Sequence, residues 1–252
     1  MEILSEFFNF SSYQFLIVIV AALIIGFSKT GIAGLTILVV PIMADAFGGK
    51  VSTGIMLPML IVGDLMAVWR YHKHVNWQNI RKLMLWTVIG LALGLIIGKY
   101  INDSQFKATI AIIVIICLVI LIYSERKGDQ LQVPQKLWFY ASTGVLAGFA
   151  TMIGNAAGPI FTIYLLAMNF KKREYMGTNS VFFCIVNLIK VPLQIFIWHN
   201  ISVKNLLLTG TILPFIAIGA ILGFVVVNKI NEKVFRYVII ILTTVASLKL
   251  LF

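Results

Sequence analysis

The chain has 252 residues, 60% of them hydrophobic and only 12% charged, with a mean hydropathy of +1.00. Water-soluble domains carry about 45–50% apolar and about 25% charged residues, so this composition excludes a cytosolic enzyme and describes a polytopic α-helical membrane protein. The formal charge of +11 comes from Lys and Arg placed mainly in short connectors between apolar runs. There they set membrane orientation, and no nucleic-acid partner is expected.

The chain opens Met1-Glu2-Ile3-Leu4-Ser5-Glu6. That start is acidic and lacks the positive n-region of a cleaved signal peptide, so the mature chain is expected to begin at residue 1. Apolar segments are predicted at 7–28, 30–47, 51–69, 83–98 and 105–123. A polar linker, Ser124 to Gln130, follows. Further apolar segments are predicted at 137–153, 155–170, 175–197, 205–227 and 234–252. The linker divides the chain into two transmembrane repeats, 1–124 and 125–252.

The two halves resemble each other. Gly90-Leu91-Ala92-Leu93-Gly94 matches Gly219-Ala220-Ile221-Leu222-Gly223. At the same offset of 129, Ile101-Asn102, Phe106 and Lys107 match Ile230-Asn231, Phe235 and Arg236, and at an offset of 122 Gly26-Phe27 matches Gly148-Phe149. Several matches in one order indicate an internal duplication, which in a membrane protein points to a secondary transporter.

Leu137 to Phe170 is 34 residues without a charge. One span needs about 20 residues and two need about 40 plus a turn, so a re-entrant helical hairpin fits this stretch better. Gly144, Gly148, Gly154, Gly158 and Pro159 interrupt it. The stretch before Lys50 is expected to form the corresponding hairpin of the first half. With hairpins, 13 basic residues, among them Lys73, Arg81, Arg126 and Lys171, fall on one face and 4 (Lys50, Lys99, Lys107, Lys204) on the other. With broken crossings instead, the same residues divide 8 against 9. The positive-inside rule prefers the first arrangement and makes the 13-residue face cytoplasmic. Three crossings per half is odd, so the repeats are expected to be inverted, with both termini non-cytoplasmic. The expected fold is thus an all-α polytopic membrane protein of two inverted repeats, each a broken or re-entrant helical hairpin followed by three transmembrane helices.

Candidate site residues follow from these interruptions. Non-helical backbone at membrane depth is tolerated only inside protein or beside water, and helix ends there expose N–H groups and partial positive charge. Two opposed hairpin tips would make an anion site, with Gly31 and Gly154 at the tips and Ser28, Thr30, Thr151 and Asn155 as side-chain donors. Lys29, a cation in an apolar run, either neutralises a bound anion or snorkels to the surface. Asp64 and Lys190 occupy equivalent repeat positions. They are either a structural ion pair or a coupling site and a substrate contact, and Asp64 could instead partner Arg70. Asn187, Lys190 and Gln194 share one helical face, which should point into the protein, as a pathway or as a buried network. Asn179 lies on the same segment.

Cys117 and Cys184 sit in apolar runs and are expected to be packing residues. Trp69, Tyr71, Trp77, Trp86, Trp138, Tyr140 and Trp198 flank apolar runs, as interfacial belt residues do. His72 and His74 have no acidic or thiol neighbours that would complete a metal site. No Walker loop, nucleophile elbow or HExxH motif is present. No enzyme activity, cofactor or metal is expected.

The run Gly26-Phe27-Ser28-Lys29-Thr30-Gly31-Ile32-Ala33-Gly34 leading to Pro41, its partner Gly154-Asn155-Ala156-Ala157-Gly158-Pro159 and the duplication together resemble the sulfite exporter TauE/SafE family over nearly the whole chain. The resemblance implies a secondary transporter of the bacterial inner membrane that exports sulfite, sulfoacetate or related sulfur-containing organic anions. The partners it implies are such an anion and the lipid bilayer; a homodimeric assembly stays open, as do a passive anion channel and a carrier of another small anion.

Overall fold

The computed structural model describes residues 8, 10–31, 34–127, 136–167, 170 and 172–226. In chain order they form α1 (Ser12–Thr30), α2 (Thr36–Phe47), α3 (Gly49–Tyr71) with a 3₁₀ turn at His72–His74, α4 (Trp77–Tyr100), α5 (Asp103–Lys127), α6 (Leu137–Gly154), α7 (Gly158–Ala167), α8 (Lys172–Leu193) with a π turn at Gln194–Trp198, and α9 (Val203–Val226). No strand occurs among the described residues. Helices dominate because a backbone in hydrocarbon must satisfy its own N–H and C=O groups.

Among the described residues, seven stretches are long and apolar enough to cross a membrane: α1, α3 through His74, α4, Asp103–Ile120 of α5, α6, Arg173–Trp198 and α9. The other two helices are short. At a rise of ~1.5 Å per residue, the 12 residues of α2 and the 10 of α7 fall well below the ~30 Å of a hydrocarbon core. Each long–short pair, α1 with α2 and α6 with α7, is a broken hairpin of the expected kind. The parts of the duplication at Ile230, Asn231, Phe235 and Arg236, and the segment 234–252, lie outside the described residues.

Helix starts are set by local side chains. Ser11 and Gln14 form a reciprocal capping box on α1, as Asn102 and Gln105 do on α5. Asn76 Oδ1 accepts from the Asn79 N–H at 3.2 Å and starts α4 six residues before the predicted segment. The polar residues Gln78, Asn79, Arg81 and Lys82 occupy its first turns, which is why hydropathy alone missed them. α1 also runs further than expected, through Ser28-Lys29-Thr30. The chain leaves the helix only at Gly31, and Lys29 in the last turn is satisfied inside the protein.

Packing is organised by two glycine seams. α4 lies closest to α6, and α9 to α1. A Cβ added at Gly148 would collide with the Thr87 carbonyl and come within 3.0 Å of Gly90 Cα. One added at Gly90 would strike the Val145 carbonyl, and at Gly144 it would approach Trp86 Cβ to 2.6 Å. On the other seam, Gly26 abuts the Ile216 carbonyl, Gly219 the Leu23 carbonyl and Gly223 the Thr30 hydroxyl. Each seam joins the last-packed helix of one half to the first helix of the other, and the duplicated glycines occupy both. Small residues let backbones approach this closely in membranes. Between the seams, α3 and α8 cross in direct contact and carry the buried charges.

Candidate functional site

The two hairpin tips meet glycine to glycine. Gly34 has φ 95°, a left-handed conformation that side chains disfavour, and a Cβ added to Gly158 would lie 3.2 Å from Gly34 Cα. At the second tip Asn155 takes φ 54°, ψ 25° and ends α6, its N–H bonding to the Thr151 carbonyl at 3.1 Å. Asn tolerates that conformation better than other residues. At the first tip, Ser28 Oγ accepts from the Thr36 N–H at 3.2 Å and the Thr36 hydroxyl at 3.0 Å, which fixes the N-terminus of α2 against the end of α1. Cys117 of α5 supports the second tip from behind, its thiol donating to the Ala156 carbonyl at 3.3 Å.

Beside the tips runs a chain of buried polar groups. Lys29 Nζ lies 2.7 Å from Asp64 Oδ1 and 4.7 Å from the centroid of the Phe183 ring. Gly63 gives its stem room: a Cβ there would lie 3.0 Å from Lys29 Cγ. The other Asp64 oxygen accepts from Asn187 Nδ2 at 2.6 Å. Lys190 Nζ donates to Asn187 Oδ1 at 3.3 Å, to Thr151 Oγ1 at 3.2 Å and, at short range, to Asn155 Oδ1. All three ammonium protons of Lys190 are thereby used. Asp64 and Lys190 are both 0% exposed. Of the alternatives for Asp64, a direct ion pair with Lys190 is not what the structure has: Asp64 pairs with Lys29, and Asn187 stands between it and Lys190. Arg70 is not its partner, because Asp64 points into the α1–α8 side of α3 at full burial. Lys29 does not snorkel; its charge is matched inside.

A small cavity, with about 30 Å³ open to the centres of water-sized groups, opens onto this chain. Ser28, Lys29, Thr151, Asn155 and Asn187 of the sequence-derived set line it, with Gly34, Thr36, Ala156 and Gly158 of the two tips. The N-termini of α2 and α7, where helix ends favour negative charge, are thus brought to one place. Around it stand two lysines against one carboxylate. Asn155 must present its oxygen to the donor-only ammonium of Lys190, which turns its Nδ2 away; that atom is buried without a hydrogen-bond partner among the described residues.

Other expected residues lie elsewhere. The Thr30 hydroxyl is 2.8 Å from the Ala220 carbonyl and 3.1 Å from that of Gly26, and its own carbonyl accepts from Tyr71 Oη at 3.2 Å; it belongs to the α1–α9 seam. Gly31 packs on Gly223, and Gly154 on Ile110 and Val40. Lys190 supports the lining residues from outside the cavity wall. Gln194 is fully buried in the π turn, both side-chain polar atoms without partners among the described residues; Pro192, lacking an N–H, stands just before it. Asn187, Lys190 and Gln194 do face inward, as their spacing requires. Asn179 and Phe183 of α8 also line the cavity. The fourfold steps 179, 183, 187 put them on one helical face, a signal that could have marked Asn179.

The residues expected in an aromatic belt differ in exposure. Trp69, Trp77 and Trp138 are exposed, whereas Tyr140 and Trp198 are buried, the latter donating from Nε1 to the Leu95 carbonyl at 3.1 Å. Cys117 and Cys184 are buried free thiols.

A family model described as Sulfite exporter TauE/SafE matches residues 18–250 of the chain. No curated protein and no solved structure matches it.

Proposed function

Since the chain belongs to the sulfite exporter TauE/SafE family, we propose that it is a secondary transporter that exports sulfite, sulfoacetate or a related organosulfonate through the cavity between its hairpin tips. The observation that carries this reading is the buried Lys29–Asp64–Asn187–Lys190 chain beside that cavity. Two lysines against one carboxylate leave a positive site where an anion replaces its hydration with protein donors. The partial positive charge of the helix N-termini favours the anion, and Asn155 Nδ2 supplies a donor. A sulfur oxyanion offers several acceptor oxygens and suits such a site.

Export needs little further drive. An inside-negative potential is worth ~2.3 kcal/mol per charge per 100 mV and pushes a monoanion outward. The reciprocal glycine seams support two inverted repeats, since each half lends its Gly-x-x-x-Gly helix to the first helix of the other. Under that arrangement the face with Lys73 and Arg81 is cytoplasmic, in the bacterial inner membrane, and both termini lie outside. Counterflow in proteoliposomes tests the function. Vesicles preloaded with unlabelled sulfite, sulfoacetate, taurine or sulfate should accumulate label transiently and saturably from one or more of the sulfur anions. Flux that only dissipates gradients would indicate a channel, and no flux of any sulfur anion would contradict the proposal.

A further inference from the structure

The cavity carries a second unmatched group of opposite kind. Asn179 of α8 lines it at 4% exposure, and its Oδ1 is buried without a hydrogen bond among the described residues. Asn155 of the second tip lines the same space, and its Nδ2 is a buried donor without a hydrogen bond among the described residues. A fully ionised oxyanion accepts hydrogen bonds and donates none. It satisfies Asn155 and leaves Asn179 Oδ1 facing another acceptor, which costs the desolvation of a buried carbonyl and adds repulsion. A monoanion that retains one O–H satisfies both. It also carries the single negative charge that balances two lysines against one aspartate.

We infer that the site recognises the protonated monoanion, hydrogen sulfite, in preference to the sulfite dianion, with Asn155 donating to an anion oxygen and Asn179 accepting from its O–H. The inference rests on the anion site proposed above and assigns its ligand a protonation state. It makes Asn179 a specificity-determining residue. The anion then leaves the cell with its proton, and the charge moved per turnover is one.

The titratable groups around the cavity are Lys29 of α1, Asp64 of α3, Lys190 and Cys184 of α8, and Cys117 of α5. Their titration would act on any anion alike, so a donor-free isostere separates the protein's protons from the ligand's. Methanesulfinate matches hydrogen sulfite in heavy-atom shape and charge, with a methyl in place of the hydroxyl, and stays a monoanion throughout the useful range. Calorimetric titration of the purified full chain with sulfite and with methanesulfinate, from mildly acidic to mildly alkaline pH, makes the comparison. Hydrogen sulfite loses its proton near neutrality. Above that point the apparent affinity for total sulfite should fall toward tenfold per pH unit, while that for methanesulfinate stays level. Asn179→Leu should weaken sulfite at the acid end by about tenfold and leave methanesulfinate unchanged. Sulfite affinity that is flat or rises with pH, a parallel fall for both anions, or an Asn179→Leu variant that treats both as the wild type does would overturn the inference; the last outcome means the two asparagines are bridged by water. Binding of methanesulfinate with no preference for sulfite overturns the protonation claim alone, whereas absence of binding by either anion at every pH overturns the anion site with it.

Discussion

Asp64 is the residue on which the buried charges turn, because among the described residues it is the one carboxylate in contact with them. Removing it leaves Lys29 as an unmatched cation among Phe183, Leu60 and the α1 backbone. Breaking a buried pair from one side costs about 3–5 kcal/mol, whereas replacing both partners with apolar groups is often near neutral. Asp64→Leu and Lys29→Met should therefore each lower the thermal midpoint in detergent more than the Lys29→Met/Asp64→Leu double variant does. The coupling should exceed about 1 kcal/mol and should be weaker between Asp64 and Lys190, which meet only through Asn187; additive losses for Lys29 and Asp64 would argue against the pair. The isolated charges themselves were legible in the sequence, since a lone Asp or Lys in an apolar run is costly wherever it sits. Their partners were not. Lys29 reaches Asp64 because Gly63 clears space for its stem, a fact of how α1 leans on α3. Phe183 and Leu60 look like any other apolar residue until the fold brings them to the cavity.

The helical hairpins were readable from one number, a charge-free stretch of 34 residues that is too long for one span and too short for two. Where each hairpin breaks was less so. The first tip falls after Thr30 rather than before it, because side-chain bonds from Thr30 and the Lys29–Asp64 pair hold the helix together past its polar residues. The seams make a sharper claim at this scale. At Gly148 and Gly219 a new Cβ meets backbone carbonyl oxygen, and neither helix can yield without dragging its neighbour. Gly148→Val and Gly219→Val should each destabilise by at least the 1–3 kcal/mol of ordinary overpacking, read as the thermal midpoint of the purified protein. Gly210 of α9 has open space where its Cβ would stand, and Gly210→Ala should cost nothing. Equal tolerance at all three positions would mean the seams are not the contacts described. Sequence matching found these glycines as repeats; that α4 would pack on α6 and α9 on α1 was not legible in them, because a glycine's packing partner is set by the fold.

At the scale of the molecule, α1–α2 and α6–α7 bring helix N-termini to one cavity, and α3 and α8 bring the buried charges. That convergence is what suits the chain to bind an anion, and binding at the tips is the claim on which transport rests. Lys190 holds Thr151, Asn155 and Asn187 in place and contributes its charge, so Lys190→Met should weaken sulfite binding, and Asn155→Leu should remove a direct donor. Thr30, a seam residue that bonds to α9, sits outside the cavity. Calorimetric sulfite titration of folded Lys190→Met, Asn155→Leu and Thr30→Val proteins, matched by thermal midpoint against the wild type, is the direct test. Affinity lower by about tenfold or more in the first two and unchanged in Thr30→Val is the predicted result; wild-type affinity in both Lys190→Met and Asn155→Leu would place the anion somewhere other than between the hairpin tips.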